Sequence, residues 1–143
     1  MRLPQLEPGS LTSEQSALRA AILGGPRGQG PQLFDLVDDE GHLTGPFGIM
    51  LHSPGVGAAV QELGAALRYG AAVSDRVREV VVLAVAGHWT SEFELHAHGP
   101  IARSVGLTQE QVTAVVGGKP VDGLHPAEAA ALALVRAGPT HPR

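Results

Sequence analysis

A chain of 143 residues can enclose one hydrophobic core of ordinary size, so a single domain over 1–143 is expected. Its formal charge of −4 at pH 7, with Lys119 as its one lysine, excludes the basic surface that a nucleic-acid partner requires. The absence of cysteine removes disulfides, thiolate metal sites and thiol redox chemistry together.

The N-terminus, MRLPQLEPGS, has neither the apolar region nor the cleavage site of a secretory signal, so a cytoplasmic location is expected. The first helix is marked by a capping box, Thr12 with Gln15, ahead of Leu18 and Ile22, and Gly24-Gly25 stops it. The stretch 24–46 is irregular: GGPRGQGP is too rich in Gly and Pro for regular structure. LFDLVDDEGHLTGPF reads as a surface loop, a short hairpin turning at Glu40-Gly41, or a lid over a pocket.

Ser53-Pro54 opens a second helix through Val56, Val60, Leu63 and Leu67, ended by Gly70. Ser74 caps a third, whose run from Val77 to Ala86 is apolar on nearly every side and so is expected to be buried all round. That run is far too short to span a membrane. Ser91 with Glu94 reads as another capping box, and Gly106 as the residue that closes its helix. Pro100 inside this helix withholds a donor from the carbonyl of His96 and should bend it. Thr108 with Gln111 opens a short helix to Val116, and His125-Pro126 starts a last one that ends near Arg136. About six helices and no convincing strand ladder give an all-α class.

The residues with chemistry to offer lie between Ser74 and Gly106. Glu79 is a lone carboxylate in an oily helix, where it must be paired, neutralised or functional. Arg76, Arg78 and Arg103 are possible ion partners. Glu94 and His98 stand at i and i+4, so both project from one face of the next helix, with Ile101 turning that face inward. A carboxylate that orients an imidazole beside a buried carboxyl would make a proton-handling site. The plainer readings remain beside it: Glu94 as a capping residue, His98 as a packed histidine, and Glu79 as half of a structural ion pair.

His88 ends its helix, where an imidazole can meet the terminal carbonyls, and His96 points elsewhere. Trp89 is a core or interface aromatic, or the wall of a ligand pocket. A metal would need a third convergent ligand, such as His88 beside Glu94 and His98, and no firm spacing supports that trio, so no metal is expected.

The spacing from Glu79 through Ser91 and Glu94 to His98, with the words GPFGIMLHSP, LRYGAAVSDRVREVVVLAVAGHW, EFELHAH and GPIARSVGL, resembles the carboxymuconolactone decarboxylase family. That family includes the alkylhydroperoxidase D-like proteins, and the resemblance covers residues 34–136. In the peroxidase branch a Glu is followed after eleven residues by Cys-x-x-Cys and then, after three, by a His; here Ser91 and Glu94 hold the two cysteine positions. The resemblance implies an alkylhydroperoxidase D-like helical bundle with a short or truncated C-terminus, assembled as a homotrimer or homohexamer. It implies a lyase that needs no cofactor, acting on a small carboxylate or lactone. His98 would serve as proton donor at a pocket wall, Glu94 would orient it and Glu79 would be a buried second relay, while Ser91, His88 and Trp89 would contact substrate. A peroxiredoxin-like activity is the family's other possibility, and it lacks its thiols here. A non-catalytic oligomeric binding protein is the third.

Overall fold

The computed structural model describes residues 3–29 and 32–138. Gly30 and Pro31 of the GGPRGQGP stretch, and residues 139–143, lie outside the described residues. The fold is all-α: among the described residues there are seven α-helices, and the extended backbone is limited to one isolated antiparallel bridge, Val37 with Leu43. None of these helices is long and apolar enough to cross a membrane. Two compact units divide the chain, Met1–Ala71 and Ala72–Arg143.

The first unit contains α1 (Ser13–Gly24), α2 (Gly45–Met50) and α3 (Pro54–Tyr69). The capping box at the start of α1 forms as the sequence indicates, Gln15 N donating to Thr12 Oγ1 and Thr12 N to Gln15 Oε1. Ser53 precedes α3 without a side-chain cap bond, because its backbone (φ −141°, ψ 75°) departs from the extended geometry of a capping residue. Both α1 and α2 pack on α3. The segment between α1 and α2 is anchored rather than draped over the surface. Leu36, His42 and Leu43 are buried, and Asp38 N to His42 O and Thr44 N to Leu36 O close a hairpin-like turn. The short helix α2, not foreseen in the sequence, follows this turn with Pro46 in its first turn.

The second unit contains α4 (Asp75–His88), α5 (Glu92–Ser104), α6 (Gln109–Val116) and α7 (Pro126–Arg136). Here α4 is the central element, packed on α5, α6 and α7. Val80, Leu83 and Ala84 from α4 meet Ala102, Leu107, Val112, Val115 and Leu132 in one core. Truncating a side chain as enclosed as Leu83 typically costs about 2–5 kcal/mol. Gly87 lets α6 come close, since a Cβ there would stand 2.3 Å from the carbonyl oxygen of Val116. The opposite side of α4 is not covered, contrary to the expectation of burial all round: Val85 and Trp89 are exposed and Val81 and Val82 half-buried.

The turn from α4 into α5 is a Schellman motif with threonine at the left-handed position. Thr90 has φ 52°, Thr90 N donates to Gly87 O at 3.3 Å, and Ser91 N to Ala86 O at 2.9 Å. The expected capping box at Ser91 does not form; the hydroxyl makes no cap bond, and Glu94 turns its carboxylate toward His98 instead. After α5 the predicted glycine acts as expected, Gly106 (φ 94°) allowing Leu107 N to reach Ala102 O. Pro100 sits inside α5, which continues to Ser104.

One buried ion pair ties α4 to α7. Glu128, 2 % exposed, accepts from Arg76 Nε at 2.7 Å and Nη2 at 3.2 Å, and its Oε2 also accepts from His125 N. Arg76 further donates to the carbonyl of Gly106. The Arg76 hydrogen bond holds the Glu128 carboxyl below its ordinary value of 4.5, against the opposing effect of burial.

Arg76→Ala should therefore destabilise the fold by about 3 kcal/mol in chemical denaturation, since Glu128 would be left buried without its counter-charge. A carboxyl with a depressed folded pKa contributes stability that is complete above its unfolded value and is lost as pH falls through the folded one. The deficit of the variant should accordingly be full at neutral pH and shrink below pH 4.5. At the α4–α5 turn, a threonine in the left-handed region costs about 1–2 kcal/mol, partly offset by the greater unfolded-state freedom of glycine. Thr90→Gly should stabilise the protein by roughly 0.5–1 kcal/mol, read from the same denaturation curves.

Candidate functional site

Helix α4 places Glu79 wholly out of solvent, at 0 % exposure, one residue before Val80 of the core. An isolated carboxylate in such a position would be costly by several kcal/mol, so its partners decide its state. Two groups approach it. His98 of α5 brings Nδ1 to 2.6 Å from Glu79 Oε2, and Arg78 brings Nε to 3.4 Å from Oε1. His98 is the donor in that short bond in the tautomer that carries its proton on Nδ1. Glu79 Oε1 accepts no hydrogen bond, because the Arg78 contact is an ion pair without hydrogen-bond geometry. Arg78 is also paired with Asp75 Oδ1 at 2.8 Å.

The second nitrogen of the imidazole completes a chain. His98 Nε2 lies 3.4 Å from Glu94 Oε2, one helical turn earlier on α5. Glu79 is enclosed, the His98 side chain 16 % exposed and the Glu94 side chain 37 % exposed, so the three groups run from the interior toward solvent. The i, i+4 spacing puts Glu94 and His98 on one face, and Ile101, 5 % exposed, continues that face inward as expected. The Schellman turn at Thr90 reverses the chain so that this face of α5 returns toward α4.

A groove of about 310 Å³ opens beside the outer end of this chain. Val81, Val82, Val85 and Ala86 of α4 form one wall, and Trp89, Ser91 and Glu94 complete it. The lining is almost wholly apolar, with Ser91 and Glu94 as its polar residues, a composition typical of small-molecule sites. Glu94 is the titratable group on this wall; His98 is not among the lining residues and stands behind it. The valine wall was read from the sequence as core. Its signal was the spacing of Val81, Val82 and Val85, a stripe that remains after Val80, Leu83 and Ala84 have turned inward.

Of the other candidates, Ser91 and Trp89 line the groove, whereas His88 is exposed at the end of α4 with its ring edge-on to Trp89 at 5.1 Å. His96 is exposed. Arg76 serves Glu128, and Arg103 donates to Gln109 at 3.0 Å, which leaves Arg78 as the arginine at Glu79. Glu94, His98 and His88 form no group that could share an ion; among the described residues that arrangement occurs at Asp38, Glu40 and His42, which the sequence reading did not single out.

Comparison with known proteins gives one match. The model of the carboxymuconolactone decarboxylase family fits residues 54–137, which takes in α3 to α7 and all of Glu79, Ser91, Glu94 and His98. Searches of curated proteins and of solved structures found no match. The matched span is more than half of the 143 residues and contains Glu79, Glu94 and His98 together. On that span, the chain belongs to the carboxymuconolactone decarboxylase family.

Proposed function

We propose that this protein is a lyase of the carboxymuconolactone decarboxylase type, working on a small carboxylate or lactone by proton transfer and without a cofactor. The observation that carries the reading is the Glu79–His98–Glu94 chain, running from an enclosed carboxylate to the wall of an apolar groove. Glu79 fixes the imidazole tautomer and offsets positive charge when His98 is protonated, as an orienting carboxylate does in general acid–base sites. Glu94 faces the ligand and gives up a proton, His98 replaces it, and solvent at the exposed end of the chain restores the proton that the product keeps. This order differs from the sequence-based expectation, in which His98 met the substrate and Glu94 only oriented it.

In a decarboxylation at this site the bond from carbon to the departing carboxylate breaks. Its electron pair moves into a conjugated carbonyl, carbon dioxide leaves, and the proton from Glu94 and His98 closes the sequence on carbon. Ser91 is the hydroxyl residue on the groove wall that could donate to the developing oxyanion. A thiol-dependent peroxidase reaction has no nucleophile in this chain, since a serine and a glutamate stand at the positions where the peroxidase branch has its cysteines.

A homotrimer or homohexamer is part of the same proposal. Val56, Leu63 and Leu67 along α3, and Val85 with Trp89 on α4, are large apolar side chains left exposed on a single chain, a pattern that favours burial against further copies.

Wild-type protein supplied with a panel of small lactones and carboxylates should convert at least one, and His98→Ala and Glu79→Gln should each lower turnover by about 10²–10⁴-fold. Both variants should keep the assembly size of the wild type. Normal turnover in both would overturn the mechanism, and unchanged ligand binding without any turnover in the wild type would favour a binding protein. Light scattering behind a sizing column should give a trimeric or hexameric mass, and Leu63→Glu combined with Leu67→Glu should reduce it. A wild-type mass equal to one chain would refute the assembly.

A further inference from the structure

The family match begins at residue 54, and a second concentration of chemistry lies ahead of it. In the turn between α1 and α2, one ligand atom from each of Asp38, Glu40 and His42 falls within 4.8 Å of the others. His42 keeps only 7 % of its surface. Its Nδ1 is 3.0 Å from Asp38 Oδ2 and 3.6 Å from Glu40 Oε2. Its Nε2 is buried, has no hydrogen-bond partner, and lies 3.5 Å from Glu7 Oε2. Asp38 is itself held in place: Oδ1 accepts from the backbone of Glu40 and His42, and Oδ2 from Gln5 at 3.4 Å. Arg19 donates to the carbonyl of Gly41, not to these carboxylates.

The same imidazole walls a separate hollow of about 500 Å³, shared with Leu43, Ile49, Leu51 and His52. This hollow belongs wholly to the first unit.

We propose that Asp38, Glu40 and His42 form a divalent transition-metal site, with Glu7 holding the far nitrogen of the imidazole. Three observations converge on it. With N and O ligands at roughly 2.0–2.2 Å, neighbouring donors of one zinc ion stand roughly 3.0–3.5 Å apart, and the separations from Nδ1 are 3.0 and 3.6 Å. A metal on Nδ1 leaves the proton on Nε2, where the flexible Glu7 carboxylate can accept it; a carboxylate behind a ligating histidine is the usual way such a ring is oriented. That removes the buried nitrogen without a partner. The cation also neutralises two carboxylates that would otherwise face each other with one histidine between them. One imidazole and two carboxylates suit zinc, manganese or iron, whereas magnesium and calcium favour oxygen donors alone. Three protein donors leave a position for water or for a ligand.

The competing state is an imidazolium clasped by Asp38, whose hydrogen bond holds His42 above its ordinary pKa. There zinc changes nothing. The full chain, stripped with a chelator and titrated calorimetrically with zinc chloride, should take up one ion per chain and gain thermal stability. Magnesium should do neither. Glu40→Gln, at a position whose side chain is 78 % exposed, should weaken zinc binding at least tenfold and abolish the thermal gain. His42→Ala should do the same if it folds. Manganese should broaden the amide signals of residues 38–43 selectively. Equal zinc affinity in wild type and Glu40→Gln, no uptake at millimolar zinc, or broadening confined to the exposed histidines of the second unit would overturn the site.

Discussion

The second unit is organised around a carboxylate that has no access to water. Because Glu79 is enclosed, some group on a neighbouring element must come to it, and the group that does is His98, through a short hydrogen bond. That requirement fixes the rotation of α5 about its own axis, since only one face can present His98. The face that carries His98 also carries Glu94, and so the need to satisfy a buried charge automatically sets a second carboxylate at the rim of the groove. Arg78 adds positive charge on the other side of Glu79. The contacts that satisfy the buried carboxyl are thus the same ones that the proposed mechanism uses.

Much of this was legible in the amino-acid sequence because it depends on local chemistry. Thr12 with Gln15 and Thr108 with Gln111 close their capping boxes, and Gly106 ends α5 with the expected positive φ. The i, i+4 relation of Glu94 and His98 is a property of any helix, and the apolar setting of Glu79 announced burial. What failed depended on competition for a partner. Ser91 and Glu94 have the spacing of a capping box, yet a carboxylate near an imidazole one turn away does not also serve a backbone amide. Likewise, the uniform oiliness of α4 concealed which valines the neighbouring helices would cover. Val80 went inward and Val81, Val82 and Val85 were left to form a wall. The cluster at Asp38, Glu40 and His42 went unread because its ligands are brought together by a turn, whose closure no periodic pattern reports.

The two units differ in how they relate to the family. The matched span takes in α3 and the four helices of the second unit, with the ion pair between α4 and α7 and the buried carboxylate. The remainder of the first unit lies ahead of the match, and its buried polar residue is a histidine among carboxylates instead of a carboxylate beside a histidine. The pairing is the same in kind, with opposite members enclosed. In the second unit the enclosed member is the acid and the base reaches toward solvent; in the first, the base is enclosed and the acids stand outside.

Gly87 sets a direction for how this groove can diversify. With the carbonyl of Val116 where a methyl group would sit, the α6 side of α4 cannot accept a larger residue there, nor can α4 slide to make room. Reshaping the cleft for a bulkier or smaller guest must therefore proceed through Val81, Val82, Val85 and Trp89, whose side chains have open space beside them. Those four side chains can be exchanged without touching Glu79, His98 or Glu94, so the shape of the groove and the buried contact behind it are free to drift apart in this scaffold.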